Sequence, residues 1–517
     1  MTNDLMEGPF PLSPGFRVVF GVLMAAALLL VWIPKFLPLT DYPEHLLVIQ
    51  VLSHYQDPQY QYARDYTVQL GNVPYVSIYL IGMWLNRFLP IFTVGKILLS
   101  LYIILTPLSI LAYVRSLRNV SPWSSLLSFV FLFNLFYYLG SLNFLISIPL
   151  SFFVLALVLT LLNPQVPSAN IPNPPTSFFE QYWRVAALVL VSTALFYTHI
   201  VSYAAVILAA AGLCLAAYLR RRPVTLTAVA LVPSVLLAGF SVYRALGASA
   251  SGLGASWLPF SSRLFDLLQP FLIYRDDYFH RTVLDRLSLP LVFLAALWLV
   301  TGMWSFLKIR NRDRLDAWLI LLFLLLAALV FPSQIPSASF AHRLSILVLL
   351  SVCGILPRQF GEHLLTKVTL LALTVFVFTL TAWRTSEFNR EMKPFLNAVA
   401  RMQPDARVLP LIQNLHSSHL QTYCFLHITN YYHLEKQGGN PYLLFRNMPQ
   451  IPVHYRFLLQ LPSVGSFEPD LFDWNTHHDH YRYFLARDAS ARVMGQLRSH
   501  SRLIYESQGW ALFEAQD

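Results

Sequence analysis

An all-α polytopic membrane bundle with a small C-terminal α/β domain outside the membrane is the fold class this sequence predicts. Three observations predict it. Of 517 residues, 56% are hydrophobic and only 12% charged, against roughly 25% charged in a soluble domain. Apolar runs recur along the chain at close to the roughly 20 helical residues that cross a bilayer core. After residue 384 the composition turns polar and rich in His and Tyr, with no apolar run of that length. The expected division is therefore a transmembrane domain over 1–384 and an extracytoplasmic domain over 385–517.

The net charge of +10 reads as a topology signal rather than a nucleic-acid footprint. Its basic residues cluster in short loops between apolar runs: Arg115 and Arg118, Arg220 to Arg222, the run 308–314, and Arg358. Loops rich in Lys and Arg stay in the cytoplasm. That rule places the N-terminus inside and yields about eleven spans. They are expected at 16–33, 94–114, 123–138, 144–162, 184–197, 201–219, 225–243, 290–306, 315–331, 344–356 and 364–383. No small-residue cleavage site follows the first run, so it is expected to remain as a membrane helix. The apolar stretch 76–89 is not counted, because a span there would put Arg115 and Arg220 outside. It reads instead as a surface helix. Proline-rich 163–176, NPQVPSANIPNPPT, cannot be helical and reads as a cytoplasmic linker. In the tail, 387–402 and 490–499 read as helices and 407–412 and 481–486 as strands. A hairpin is expected over 503–514, turning at Gln508-Gly509. The three cysteines imply no disulfide framework.

The residues that could carry chemistry gather on the outer side of this topology. The first outer loop opens with LPLTDYPEH, where Asp41, Glu44 and His45 fall within five positions of one another. Pro43 suits the first turn of a helix, which places Glu44 and His45 in that turn, where a carboxylate is favoured by the helix dipole. The pattern that follows predicts an amphipathic helix on the membrane surface with these groups facing water. Further outer turns supply Asn143 and His199. A long outer loop supplies Arg275, Asp276, Asp277 and His280, and His342 and Arg343 stand at the mouth of a span. Ionisable groups at a membrane edge are costly unless paired or wet, which adds weight to functional readings. Each also has a plainer role: Asp41 as a helix cap, His199 as an interhelical hydrogen-bond residue, Arg343 as a snorkelling side chain, and Arg275 to Asp277 as a solvated loop. His477-His478-Asp479-His480 looks metal-like, but a linear run reads more simply as surface or fold.

In its order of elements the chain resembles the GT-C superfamily of integral membrane glycosyltransferases. That order is a short N-terminus, one span, an outer loop opening with the acidic LTDYPEH motif, two juxtamembrane helices, then a bundle of short spans. The protein O-mannosyltransferases, lipid A aminoarabinose transferases and arabinosyltransferases belong to that superfamily. The resemblance covers roughly residues 16–385 in layout. It implies sugar transfer from a polyprenyl-phosphate donor to a glycan, lipid or protein acceptor on the extracytoplasmic face. The sequence shows no eukaryotic retention or lipidation signal, so a bacterial inner membrane is expected, and the charge pattern above leaves no nucleic-acid partner expected. By resemblance the general base falls on Asp41, assisted by Glu44 and His45. Asn143, His199, Arg275, Asp276, Asp277, His280, His342 and Arg343 are the candidates for holding substrate and lipid phosphate. Members of the superfamily differ in their need for a divalent metal such as Mg or Mn, and no metal ligand is assigned. Glu44-His45 after the aspartate departs from the mannosyltransferase pattern, and only Asp276-Asp277 is available as a second acidic motif. Competing readings are a lipid-linked polymer ligase or other lipid-dependent transferase, a transporter or flippase, and an envelope-assembly scaffold. The scarcity of charge within the spans argues against ion-coupled transport.

Overall fold

The computed structural model describes residues 12–70, 74–117, 119–163, 178–248, 256–267, 315–335, 338–339, 341–420, 422–438, 451–456 and 461–516. Helix α1, Pro14–Trp32, starts where the Ser13 hydroxyl accepts from the Phe16 amide and Pro14 presets the first turn. After it come α2, Tyr42–Ser53, the short strand β1, Tyr66–Val68, and α3, Ser77–Asn86. At 10 residues α3 is too short to span, as expected of the stretch 76–89. The bundle proper consists of α4, Ile91–Ser116, α5, Leu135–Leu139, α6, Leu142–Leu162, α7, Phe178–Thr198, α8, Ile200–Leu219, α9, Thr225–Ala248, α10, Leu315–Val330, α11, Ser345–Ser351, and α12, Leu364–Arg401. Among the described residues, six of these are long and apolar enough to cross a membrane: α1, α4, α6, α8, α9 and α12. The expected span 290–306 lies outside the described residues.

Three features differ from the sequence-based expectation. The run 123–138 is not one helix. A 3-10 turn at Pro122–Leu126 leads to the single turn Leu127–Val130 and then to α5. Asn134 explains the restart: its side-chain oxygen accepts from the Phe136 and Tyr137 amides at the head of α5, and its amide donates to Phe131 O at 2.6 Å. Asn134→Ala is expected to cost about 1–2 kcal/mol through loss of this cap. Thermal unfolding in detergent would measure it. The second difference is α12, which runs unbroken for 38 residues, about 57 Å at 1.5 Å per residue. It carries the expected tail helix 387–402 as a direct continuation of the last span.

The third difference concerns α2. The expected helix is present, but it does not lie with a wet face on the membrane. Every residue from Tyr42 to Leu52 is buried, because α3 and α4 cover one side and the tail covers the other. Helix α13 of the tail, Asn430–Lys436, packs on α2, and Gln50 donates to Leu434 O across that contact. The strand β3, Val453–Tyr455, pairs antiparallel with β1, Tyr66 opposite Tyr455. Periodicity in one segment does not register a cover supplied by residues nearly 400 positions away.

The tail sheet follows its expected strands closely. Strands β2, Val408–Ile412, β4, Tyr483–Arg487, β5, Ser501–Ser507, and β6, Trp510–Ala515, form one sheet in the order β2-β4-β6-β5. β2 and β4 run parallel, and the other pairs antiparallel. The hairpin turns at Gln508 (φ 48°) and Gly509 (φ 79°), both left-handed, as a two-residue turn matched to strand twist requires. Helix α14, Ala491–His500, lays Val493 and Leu497 on the sheet against Leu409, Phe484 and Phe513.

Candidate active site

Asp41 ends the loop between α1 and α2. That loop is hydrogen-bonded onto the last turn of α5: the Thr40 amide donates to Tyr138 O at 3.0 Å and the Asp41 amide to Leu139 O at 2.9 Å. Gly140 closes that turn with φ 72°. A side chain there would meet the Tyr42 amide nitrogen at 2.9 Å and the Asp41 nitrogen at 3.2 Å, so glycine permits the close approach. Asp41 occupies the N-cap position of α2, yet its carboxylate makes no capping bond. It accepts instead from the Ser141 hydroxyl at 3.1 Å and remains 19% exposed. The plain capping role therefore does not account for this side chain.

Around it the fold collects most of the expected residues. Glu44, one turn into α2, is fully buried, with Oε2 2.9 Å from His427 Nδ1. His427 Nε2 lies 3.9 Å from Asp41 Oδ1. His45 points to α3, where its Nδ1 and the Tyr79 hydroxyl share a hydrogen bond of 2.9 Å. Asn143, in the first turn of α6, hydrogen-bonds the same Tyr79 hydroxyl. His199 caps α8, accepting from the Ser202 amide, and its Nε2 faces Arg343 Nη1 at 3.4 Å. Tyr75 and Phe144 each set their rings 5.1 Å from His199, and the Arg343 guanidinium stands over Phe144 at 5.8 Å. His342 is buried one residue away, with its ring 5.5 Å from Phe136. Arg275, Asp276, Asp277 and His280 lie outside the described residues.

The electrostatics follow from this enclosure. Surrounding protein raises the Asp41 carboxyl above the usual aspartate range. The His427 and Arg343 charges and the Ser141 bond oppose that rise, and Glu44 adds to it. Burial, then the positive charges of His427 and Arg343, push His45 down to about 3. His45 is therefore neutral across the physiological range and serves as a hydrogen-bond partner, not a cation. His427 moves upward: burial opposes the rise, but the charge and hydrogen bond of Glu44 and the charge of Asp41 prevail. Among the described residues no group of three or more His, Cys, Asp or Glu side chains is arranged to hold a metal ion.

Sequence reasoning brought Asp41, Glu44, His45, Asn143, His199 and Arg343 to one place. It missed Tyr79 and His427. His427 sits in CFLHITNYYH, an apolar and aromatic island in the polar tail, and that island was the available signal of burial.

Among the described residues, basic side chains gather at the opposite end of helix α6. Helix α6 leaves the site at Ser141 and ends at Asn163, 21 helical residues on, or about 30 Å away. There Arg220 and Arg222 pair with Asp316 at 3.1 and 3.8 Å. Carboxylate, neutral imidazole and guanidinium thus meet at one end of an apolar bundle, where a base and an anion-binding group can work on one substrate.

No family model matches the sequence, and no curated protein matches it. Among solved structures, the chain is similar to the crystal structure of ArnT from Cupriavidus metallidurans bound to undecaprenyl phosphate. The likeness covers 97% of this chain and 98% of that one, with a TM-score of 0.52 and 11% identity. At that identity the likeness is one of fold alone: the chain shares the overall fold of that structure.

Proposed function

We propose that this GT-C-fold protein is a glycosyltransferase that moves a sugar from a polyprenyl-phosphate donor to an acceptor hydroxyl outside the cytoplasm, with Asp41 as general base. The observation that carries the reading is a partly exposed carboxylate, free of any capping duty, close enough to Arg343 for their charges to interact. The undecaprenyl phosphate bound to ArnT supports a lipid-phosphate donor. Under this reading residues 1–384 are the membrane domain and 385–517 an extracytoplasmic one, in a bacterial inner membrane. Arg220 and Arg222 at the far end of α6 support that orientation.

Each group then has a task. The donor's chain lies in the bilayer and its phosphate at the surface. Asp41 takes the acceptor proton as the acceptor oxygen bonds to the anomeric carbon and the bond from that carbon to the phosphate oxygen breaks. Arg343 holds the departing phosphate with paired N–H donors. Asn143 presents a polar group to the sugar, Tyr79 holds Asn143 and His45 in place, and His199 steadies the guanidinium. Glycan, lipid and protein acceptors all offer the hydroxyl that this chemistry needs.

The test is transfer of radiolabelled sugar from a panel of polyprenyl-phosphate donors in membranes that carry the chain. The native chain is expected to transfer from at least one donor. Arg343→Ala is expected to lower kcat/KM by about 10- to 100-fold, the scale of a charged hydrogen bond worth about 1.5–3 kcal/mol. Unchanged kcat/KM would remove Arg343 from phosphate binding, and no transfer from any donor by the native chain would sink the glycosyltransferase reading.

A further inference from the structure

His427 is a buried titratable group that the chemistry above leaves without a task. It comes from the tail, far in sequence from every other member of the site, and is 4% exposed. One ring nitrogen is anchored on Glu44 at 2.9 Å. The other has no hydrogen-bond partner and faces Asp41 Oδ1 at 3.9 Å. The imidazole therefore stands between two carboxylates, one fully buried and the other the proposed base. Among the described residues, Arg343 and Tyr79 also act on Asp41 through their charges, and Ser141 donates to it.

Two carboxylates in one enclosed site do not both stay ionised without a compensating cation; one takes up a proton. A protonated Asp41 cannot accept the proton of an acceptor hydroxyl. We propose that His427, as an imidazolium held between Glu44 and Asp41, is the positioning residue that keeps Asp41 ionised and so makes it competent as a base. This rests on the glycosyltransferase reading. His427 keeps both its protons throughout: the acceptor's proton passes to Asp41, and the electron pair of the broken sugar–oxygen bond leaves with the phosphate. The environment of His427 favours the charged form, since Glu44 and Asp41 together outweigh burial. The consequence is that the tail is part of the active site. Its seating on α2 through α13, and on β1 through β3, brings in the charge that the base requires.

The experiment uses the full chain in detergent and reads the ionisation of Asp41 directly. Infrared titration follows the carboxylic-acid band that disappears in Asp41→Asn. In His427→Gln the midpoint of that band is expected to rise by about one pH unit or more, the size of effect that loss of one adjacent charge produces. The acidic limb of the sugar-transfer profile is expected to rise with it. His427→Lys, which restores a cation, is expected to bring both back toward native values. A rate lowered equally at all pH values with unmoved midpoints would mean that His427 is merely structural, and would overturn the proposal. A Lys variant that titrates like the Gln variant would also overturn it. Should the Gln chain not fold, native and Lys chains decide: a shared midpoint supports the proposal and a raised one in Lys overturns it. The infrared midpoints need no substrate. A native chain that transfers no sugar would therefore count against the glycosyltransferase reading alone, while the midpoints still judge His427.

Discussion

Asp41→Asn is expected to cut sugar transfer by about 10²- to 10⁴-fold, the usual contribution of a positioned general base, with the protein still folded. The structure separates these two outcomes. Asn keeps the size of the side chain and still offers an oxygen to the Ser141 hydroxyl, the bond Asp41 accepts at 3.1 Å. The aspartate carboxylate makes no capping bond to α2, so no cap is lost. The Glu44–His427 pair remains. Only the proton-accepting group goes. The pH profile provides a second check. Because its surroundings raise the Asp41 carboxyl above the ordinary aspartate range, native activity should fall as pH drops through that raised value, at a higher pH than a solvated aspartate would give. Residual activity of Asp41→Asn should lack this limb. Transfer by the Asn variant at the native rate, with matched protein level, would remove Asp41 from the mechanism.

The second large effect is expected at Gly140. Gly140→Val should destabilise the protein by about 2–4 kcal/mol, combining a left-handed residue that now carries a branched side chain with a clash against backbone. The added Cβ would press on the Tyr42 amide nitrogen at 2.9 Å, on Leu39 Cβ at 3.1 Å and on the Asp41 nitrogen at 3.2 Å. Two of these are main-chain atoms of the loop that carries the base. Activity should therefore fall further than stability alone predicts, since the Asp41 loop is held on this turn by the Thr40 and Asp41 amides. Gly239 is the control. It is exposed on α9 with open space at its Cβ position, and Gly239→Ala should be neutral or stabilising by up to about 1 kcal/mol. Equal thermal midpoints for native and Gly140→Val chains in detergent would show that the turn does not hold the loop.

The parts of the fold that could be read from sequence are those governed by local rules. Spans α1, α4, α6, α8, α9 and α12 follow from continuous apolar runs, since hydrocarbon admits little else. The tail strands and their hairpin follow from period-two alternation and from Gln508-Gly509, whose backbone angles only certain residues adopt readily. The break at Asn134 was less visible. An asparagine in the apolar run SFVFLFNLFYYL can be absorbed by a long helix or can restart a short one, and its choice depends on the amides within reach. The unbroken passage of α12 through residue 385 was hidden by a change in composition that a helix need not respect.

For the site, the sequence determined the inventory at one end of the bundle. An acidic motif after the first span and basic loops on the opposite face place Asp41, Glu44, His45, Asn143, His199 and Arg343 on one side by topology alone. Only the tertiary structure decided which of them touch and what completes them. Helix α2 became a buried wall because α13 and β3 of the tail close over it. That closure sets Glu44 against His427 at 2.9 Å and gives Asp41 a cationic neighbour. The reason is physical: apolar periodicity and charge bias act over a turn or a loop and are written in neighbouring residues. The environment of a carboxylate is set by whatever atoms fill the few ångströms around it, and here those atoms come from residues almost 400 positions further along the chain.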